Sequence, residues 1–325
     1  MSRMMKTGLV ALLLCLAVSF SKAEDAASYP SKPVEATVQW AAGGGADIVF
    51  RILAEVFPKY SGGQTLVIKN VDGAAGVTGT VEFLTAQGDG YKVLHWSNAH
   101  VSKAHMSVVP YAIDTFEPVL QVVETANYLL VKQDAKWKTL AEYVADVKAN
   151  PGEISLANAG VGGGNHLAAL LLEDFIDGEF LHVSFNGGGP AVTGLLSGQV
   201  DSTMANAPEG MTNVDSKQVR ILATFGSKRF EEYPDAPTAQ EAGFDLVLEQ
   251  WRGIAVPKGT PSAIIKRIHD IFKQCVEDQV YITKVKALGA TARYRNTDDF
   301  RQFALDEDKR FETLIKARKF GDRYK

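Results

Sequence analysis

Short β-branched segments alternate with amphipathic segments through most of the chain. Nine of them have the composition typical of strands, at 34–40, 65–69, 92–96, 119–123, 128–132, 154–157, 181–184, 200–205 and 219–225. Apolar residues recur at helical spacing in between, at 46–57, 140–149, 165–176 and 190–196. This alternation predicts an α/β fold in which parallel sheets carry helices on both faces.

The C-terminal region has a different pattern. Dense mixed charge follows helical spacing over 298–319, which predicts an amphipathic helix with a solvated face. A chain of 325 residues suggests about two domains, yet no Gly-, Ser- or Pro-rich linker divides it into consecutive halves. We therefore expect two lobes that are joined by strands crossing between them.

The first residues have the pattern of a secretory signal. Arg3 and Lys6 precede an uncharged apolar run at 8–20, and small residues flank Lys22 at Ser21 and Ala23. The run is shorter than the roughly 20 residues that span a bilayer. We expect cleavage after Ala23 and export of a soluble protein.

Composition narrows the possible functions. The formal net charge is −4 and no dense basic run occurs, so we do not expect a nucleic-acid partner. Two cysteines, Cys15 and Cys275, are too few for a disulfide scaffold or a Cys-based zinc site. Cys15 lies in the predicted signal, so we expect no internal disulfide in the mature chain.

Three predicted strands run into glycine-rich loops, at 41–47, 158–166 and 185–190, and a predicted helix follows each loop. Such loops expose backbone N–H groups beside the positive end of a helix dipole, which suits a carboxylate or a phosphate. The loops contain no Lys or Arg, and no P-loop lysine follows them. A carboxylate held by N–H groups and water is therefore a better match than a polyphosphate.

Catalytic and metal-binding patterns are weak. No Gly-x-Ser-x-Gly elbow occurs, and His95, His100 and His105 recur every five residues, which places them on different faces. We expect no enzyme activity, no metal and no cofactor. His166 opens a helix beside a glycine loop and could face a cleft or cap the loop.

Several short motifs, taken in their order along the chain, resemble those of the periplasmic Bug-type solute receptors of tripartite tricarboxylate transporters. The resemblance rests on 29–34, 42–47, 69–76, 88–91, 160–167, 183–188, 195–201, 251–253 and 257–261. Near the expected cleft the chain departs from the usual family residues at Gln39-Trp40 and Lys69-Asn70, which leaves the ligand open.

The resemblance implies a two-lobe periplasmic binding protein-like fold of type II topology, with a hinge and a central ligand cleft. After a signal peptide at 1–23, lobe 1 would comprise 24–126 plus 248–325, and lobe 2 would comprise 127–247. The receptor would be a monomer that binds a small organic acid and delivers it to the permease subunits of a tripartite transporter. A receptor that feeds a membrane sensor kinase is an alternative, and an exported enzyme on the same fold is another.

The implied ligand lies between the loops 40–47 and 160–166, with its carboxylate on backbone groups and water. Asp47 is expected to accept hydrogen bonds from neighbouring N–H groups and to stiffen its loop. Trp40 is expected to form an apolar wall of the cleft. The full expected site is Trp40, Ala42, Gly43, Gly44, Ala46, Asp47, Ser97, Asn98, Ala99, Gly160, Gly163, Gly164, Asn165, His166, Phe185, Asn186, Gly187, Asp201 and Asn206.

Overall fold

The computed structural model describes residues 26–320, so the predicted signal peptide and its cleavage site lie outside the described residues. The strands are β1 (Val34–Val38), β2 (Leu66–Asn70), β3 (Lys92–Ser97), β4 (Phe116–Lys132), β5 (Ser155–Asn158), β6 (Leu181–Ser184), β7 (Ser202–Asn206), β8 (Val219–Thr224), β9 (Glu249–Pro257) and β10 (Thr291–Arg295).

Helices connect most of these strands. They are α1 (Gly45–Tyr60), α2 (Val77–Phe83), α3 (Asn98–Met106), α4 (Leu140–Ala149), α5 (Gly164–Ile176), α6 (Gly188–Leu196), α7 (Met211–Asp215), α8 (Ser262–Glu277), α9 (Gln279–Ala287) and α10 (Thr297–Arg318). Over residues 26–320, no helix has the length and apolar composition needed to cross a bilayer.

One long strand, β4, joins two groups of strands. Its first part pairs with β9 as far as Ala126, and from Asn127 onward it pairs with β7 and β8. The main path through the sheet is β2-β1-β3-β9-β4-β7-β5-β6, and β8 and β10 also pair with β4. We call the β1–β3, β9 and β10 side the first lobe and the β5–β8 side the second lobe.

The sheet is mixed rather than parallel throughout. The outer pairs β1–β2, β1–β3, β5–β6 and β5–β7 are parallel, as the sequence pattern predicted. The pairs that β4 makes with β7, β8, β9 and β10 are antiparallel, as is β3–β9. The segments 119–123 and 128–132, predicted as two strands, are parts of the single strand β4.

The C-terminal helix α10 is amphipathic, as its charge pattern predicted. Asn296 caps it by accepting a hydrogen bond from the Asp299 N–H at 3.0 Å. Its buried side chains include Phe300, whose ring lies edge-on to Trp96 and Trp251. The helix also packs against α3, so it covers the first lobe. The lobe boundaries stay a prediction, although β4 changes partners at the first of them.

Candidate functional site

The loop between β1 and α1 is held by its own side chains. Asp47 is buried, and its Oδ2 accepts hydrogen bonds from the Gly43 N–H and from Arg51 Nε, both at 2.9 Å. Burial alone would raise the pKa of Asp47, but the hydrogen bonds from Arg51 and Gly43 outweigh it and lower the pKa. The predicted loop-stiffening role of Asp47 agrees with these contacts.

The loop between β5 and α5 is organised by His166. Its Nδ1 accepts a hydrogen bond from the Gly162 N–H at 3.1 Å, and its ring lies edge-on to His182. The side chain is fully buried, and burial lowers the pKa of His166 to about 3. His166 is therefore neutral at physiological pH and positions the loop. The sequence left open whether His166 faces the cleft or caps the loop, and this contact is of the capping kind.

Side chains of the first lobe hold this second loop from across the lobe boundary. Ser102 Oγ, on α3, donates to the Gly162 carbonyl at 3.0 Å, and Lys103 Nζ donates to the Val161 carbonyl at 2.8 Å. A methyl group on Gly163 would lie 3.5 Å from the Trp40 ring. The two glycine loops therefore meet face to face with the lobes closed.

A cavity of about 30 Å³ lies where the loops meet, which is room for about two water molecules. Gly45, Gly164 and Gly188, the first residues of α1, α5 and α6, all line it. The three glycine-rich loops identified in the sequence therefore place the N-termini of α1, α5 and α6 around this one cavity. Eight of the predicted site residues line the cavity: Trp40, Gly44, Ala46, Ser97, Ala99, Gly164, Asn165 and Asn206.

Other predicted residues shape the loops around the cavity without lining it. Gly43 has φ +80° and Gly160 has φ +130°, and a methyl group on Gly160 would lie 2.8 Å from Ala75 Cβ. The buried Asn98 side chain lies beside Gly164. The predicted site residues that belong to this surrounding set are Ala42, Gly43, Asp47, Asn98, Gly160, Gly163, His166 and Gly187.

Three predicted site residues, Phe185, Asn186 and Asp201, lie away from the cavity lining, which corrects their assignment to the ligand site. Asp201 is exposed at the start of β7 and accepts from the Ser155 N–H and hydroxyl, at the opposite end of this strand from Asn206. Asn186 is exposed to solvent. Phe185 packs towards Gly194 of α6, because that glycine leaves room for its ring.

Sequence reasoning missed seven residues that line the cavity: Gly45, His95, Ala159, Gly188, Glu209, Gln250 and Arg252. Arg252 and Gln250 lie on β9, a strand that the sequence did not predict, although Trp251-Arg252-Gly253 was part of the motif series. Glu209 follows β7 at the end that faces the cavity. A search for charged residues just beyond each strand's carboxyl end would have found Glu209.

Glu209 places a carboxylate among the three helix N-termini. Its oxygens accept hydrogen bonds from Asn165 Nδ2 at 3.1 Å, from the Asn206 N–H at 3.2 Å and from the Gly45 N–H at 3.4 Å. A methyl group on Gly188 would overlap this carboxylate. Burial raises the pKa of Glu209, and the positive charge of Arg252 offsets part of the increase.

Arg252 brings a positive charge to the same cavity. Its guanidinium donates to the Asn206 side-chain oxygen, to the Ala207 carbonyl at 3.4 Å and to Thr125 Oγ1 at 3.5 Å. The side chain is only 4% exposed, and burial lowers its pKa from the ordinary value. The glycine loops contain no Lys or Arg, as the sequence shows, but Arg252 adds to the cavity a cation that the expected recognition by N–H groups and water did not include.

Amide and imidazole groups complete the polar lining. Gln250 Nε2 donates to the side-chain oxygens of Asn127 and Asn165, both at 2.6 Å. His95 Nδ1 lies 3.1 Å from Gln39 Oε1, and burial lowers the pKa of His95 well below its ordinary value. Over residues 26–320, no three His, Cys, Asp or Glu side chains are grouped to hold a metal ion.

Two α/β lobes that share a long strand, with a small cavity between their glycine loops, define a periplasmic solute-binding protein. The profile of the tripartite tricarboxylate transporter family receptor matches residues 49–320. The chain therefore belongs to this family of periplasmic solute receptors, which are not enzymes.

Individual relatives agree with this assignment. Protein BugT of Bordetella pertussis is 30% identical over 294 residues, which cover 89% of this chain and 90% of that protein. The structure of periplasmic binding protein BugD has a TM-score of 0.85 and 30% identity, covering 90% of this chain and 99% of that one. MatC of Rhodopseudomonas palustris, solved with bound malate, has a TM-score of 0.83 and 26% identity, covering 88% and 100%.

Proposed function

We propose that the protein is a periplasmic receptor that binds a small organic acid in the cavity between its lobes and delivers it to a tripartite membrane permease. The observation that carries this proposal is the meeting of three helix N-termini and one buried guanidinium, Arg252, at a single cavity. Backbone N–H groups at helix N-termini and a guanidinium both favour a carboxylate.

The relatives support the ligand class and the partner. MatC was solved with malate bound, so a receptor of the same fold accepts a carboxylic acid. The matched family consists of receptors of tripartite tricarboxylate transporters, which supports a membrane permease as the partner. We propose that the mature chain begins after about Ala23, because the preceding residues have the pattern of a secretory signal.

The contacts between the two lobes support a receptor whose closed form differs from its open form in a way that a partner can recognise. The contacts of Ser102 and Lys103 with the second loop join the lobes across the cavity, so separating the lobes breaks them. A ligand stabilises the closed form only to the extent that it binds that form more tightly than the open one. We propose that the closed form is the one that the permease recognises.

A thermal-shift screen of organic acids tests the ligand class. An acid that binds the folded state at a hundred times its Kd adds about 2.7 kcal/mol of stability, so the melting temperature rises clearly. Calorimetric titration of the best acid should then show at least tenfold weaker binding in Arg252→Gln. Arg310→Gln, an exposed arginine on α10, is the matched control and should bind as the unmodified protein does. Failure of every acid to raise the melting temperature would contradict the proposal.

A further inference from the structure

The cavity contains two buried side chains of opposite charge that do not pair with each other. Arg252 is 4% exposed and Glu209 is 7% exposed. Across residues 26–320, neither side chain has an oppositely charged partner within 4.0 Å. Both nonetheless line the same cavity of about 30 Å³.

Asn206 separates these two charges. Its side-chain oxygen accepts from Arg252, and its backbone N–H donates to Glu209. The remaining partners of both groups are neutral amides, carbonyls and a hydroxyl. Removing an ion from water costs several kcal/mol, which neutral hydrogen bonds repay less fully than an opposite charge does. Each group therefore gains from an opposite charge that a ligand brings into the cavity.

We propose that Glu209 and Arg252 select a zwitterionic ligand, an amino acid whose carboxylate lies against Arg252 and whose ammonium group lies against Glu209. This inference rests on the proposed function, because it assigns a ligand class to the same cavity. Glu209 would then determine a specificity for the ammonium group that the glycine loops alone would not provide.

Charge balance distinguishes this ligand class from simple carboxylic acids. Both oxygens of Glu209 accept hydrogen bonds from N–H groups, as an ionised carboxylate does. An ionised Glu209 cancels the charge of Arg252, and a zwitterion preserves that balance. A dicarboxylate adds two negative charges beside a buried carboxylate, and like charges at close range in a poorly solvated site repel strongly.

Glu209 also lies where a ligand must enter. Its contact with Gly45 crosses between the lobes and is long, at 3.4 Å, so it is a weak hydrogen bond that opening breaks readily. The cavity as observed has room for only about two water molecules, so the lobes must stand further apart than this both to admit and to hold an amino acid. The carboxylate of Glu209 then becomes available to an incoming ammonium group.

Calorimetric titration with matched pairs of acids tests the inference. Each pair consists of an amino acid and the same acid without its amine: alanine with propionate, phenylalanine with 3-phenylpropionate, and glutamate with glutarate. We expect the amino acid of the best-binding pair to bind at least tenfold more tightly than its amine-free partner.

Two variants assign this preference to the proposed groups. Glu209→Gln keeps the shape and removes the charge, so the preference within the pair should fall to threefold or less. Arg252→Gln should weaken both members by a similar factor, because both carry the carboxylate. Glu153→Gln makes the same charge change at an exposed position just before β5, away from the cavity, and should keep the full preference.

The outcomes separate this inference from the proposed function. Equal or tighter binding of the amine-free acids, or an unchanged preference in Glu209→Gln, overturns the zwitterion and leaves the organic-acid receptor intact. If no acid of either kind binds the unmodified protein, the proposed function is wrong and the inference fails with it. Circular dichroism of Glu209→Gln confirms that the variant is folded before its titration is interpreted.

Discussion

The two main glycine loops have the same sequence pattern but are anchored in different ways. The loop before α1 is fixed by its own neighbours, because Asp47 binds the Gly43 N–H and Arg51. The loop before α5 is fixed partly by His166 and partly by Ser102 and Lys103 of the opposite lobe. The first loop therefore takes its side-chain anchors from its own lobe and makes only a long hydrogen bond, from the Gly45 N–H to Glu209, to the other lobe. The second loop reaches its observed side-chain contacts only when the lobes are closed.

Ligand affinity and lobe stability should therefore respond to different anchors. Changes to anchors inside a lobe should act mainly on the stability of that lobe. Changes to anchors between lobes should act on the closed form, and therefore on ligand binding.

The largest expected effect comes from a methyl group at the lobe boundary. In Gly164→Ala the new Cβ would lie 2.5 Å from Gln250 Oε1 and 3.2 Å from Asn98 Nδ2, which both belong to the first lobe. Overpacking costs about 1–3 kcal/mol, so we expect roughly five- to 150-fold weaker binding by calorimetry. Gly178→Ala is the control, because its Cβ would lie 3.0 Å from Val147 Cγ1 inside the second lobe and away from the cavity. Equal losses in both variants would contradict the distinction.

The second prediction concerns the pH dependence of stability. His166 has a pKa of about 3 in the folded protein and an ordinary value of about 6.5 in the unfolded chain. The unfolded state takes up a proton as the pH falls below 6.5 while the folded state does not, so folding is destabilised in that range. When the pH is lowered from 7 to 5, the free energy of unfolding should therefore fall by about 2 kcal/mol less in His166→Asn than in the unmodified protein. Identical pH profiles in urea unfolding would show that His166 is not buried and neutral.

The Asp47 carboxylate should affect stability in a lower pH range. Its pKa is lowered in the folded protein, so its contribution is present at neutral pH and is lost as the pH falls below about 4. Asp47→Asn should cost about 1 kcal/mol at pH 7, and the difference should shrink towards pH 3. Urea unfolding at both pH values measures this, and a difference that persists at pH 3 would count against the ionised carboxylate.

The smallest effect is expected at the contact between Lys103 and the Val161 carbonyl. Removing one net hydrogen bond costs about 1 kcal/mol, so Lys103→Met should weaken ligand binding about fivefold. Lys148→Met, on the exposed side of α4, removes the same charge and should leave the affinity unchanged. Matching affinities for the two variants would show that Lys103 does not stabilise the closed form.

Much of the fold was predictable because its outer strands and helices are local patterns. The helix at 140–149 was predicted with the observed bounds, and α1 and α5 were predicted to within a few residues. The strands β9 and β10 were missed. β9 carries charged and polar residues, Glu249, Gln250 and Arg252, among its apolar ones, so its apolar strand pattern is interrupted. Two of them, Gln250 and Arg252, line the cavity.

The site was predictable in its loops and not in its charges. Glycine-rich loops at strand ends are visible in the sequence, and all three meet at the cavity. The positions of Glu209 and Arg252 depend on strands that pair far apart in the chain, through β4. Asp201 was misplaced for a related reason, since the sequence shows that it borders a strand but not which end of that strand faces the cavity.

We have proposed that an organic acid binds in the cavity between the two glycine loops. A crystal structure of the protein grown with the acid that binds most tightly tests it directly. We expect the acid between the Trp40–Asp47 and Gly160–His166 loops, with its carboxylate within hydrogen-bonding distance of the Arg252 guanidinium and of a backbone N–H at a helix N-terminus. An acid bound outside this cavity, or one in the cavity that leaves Arg252 without a carboxylate, would contradict the account.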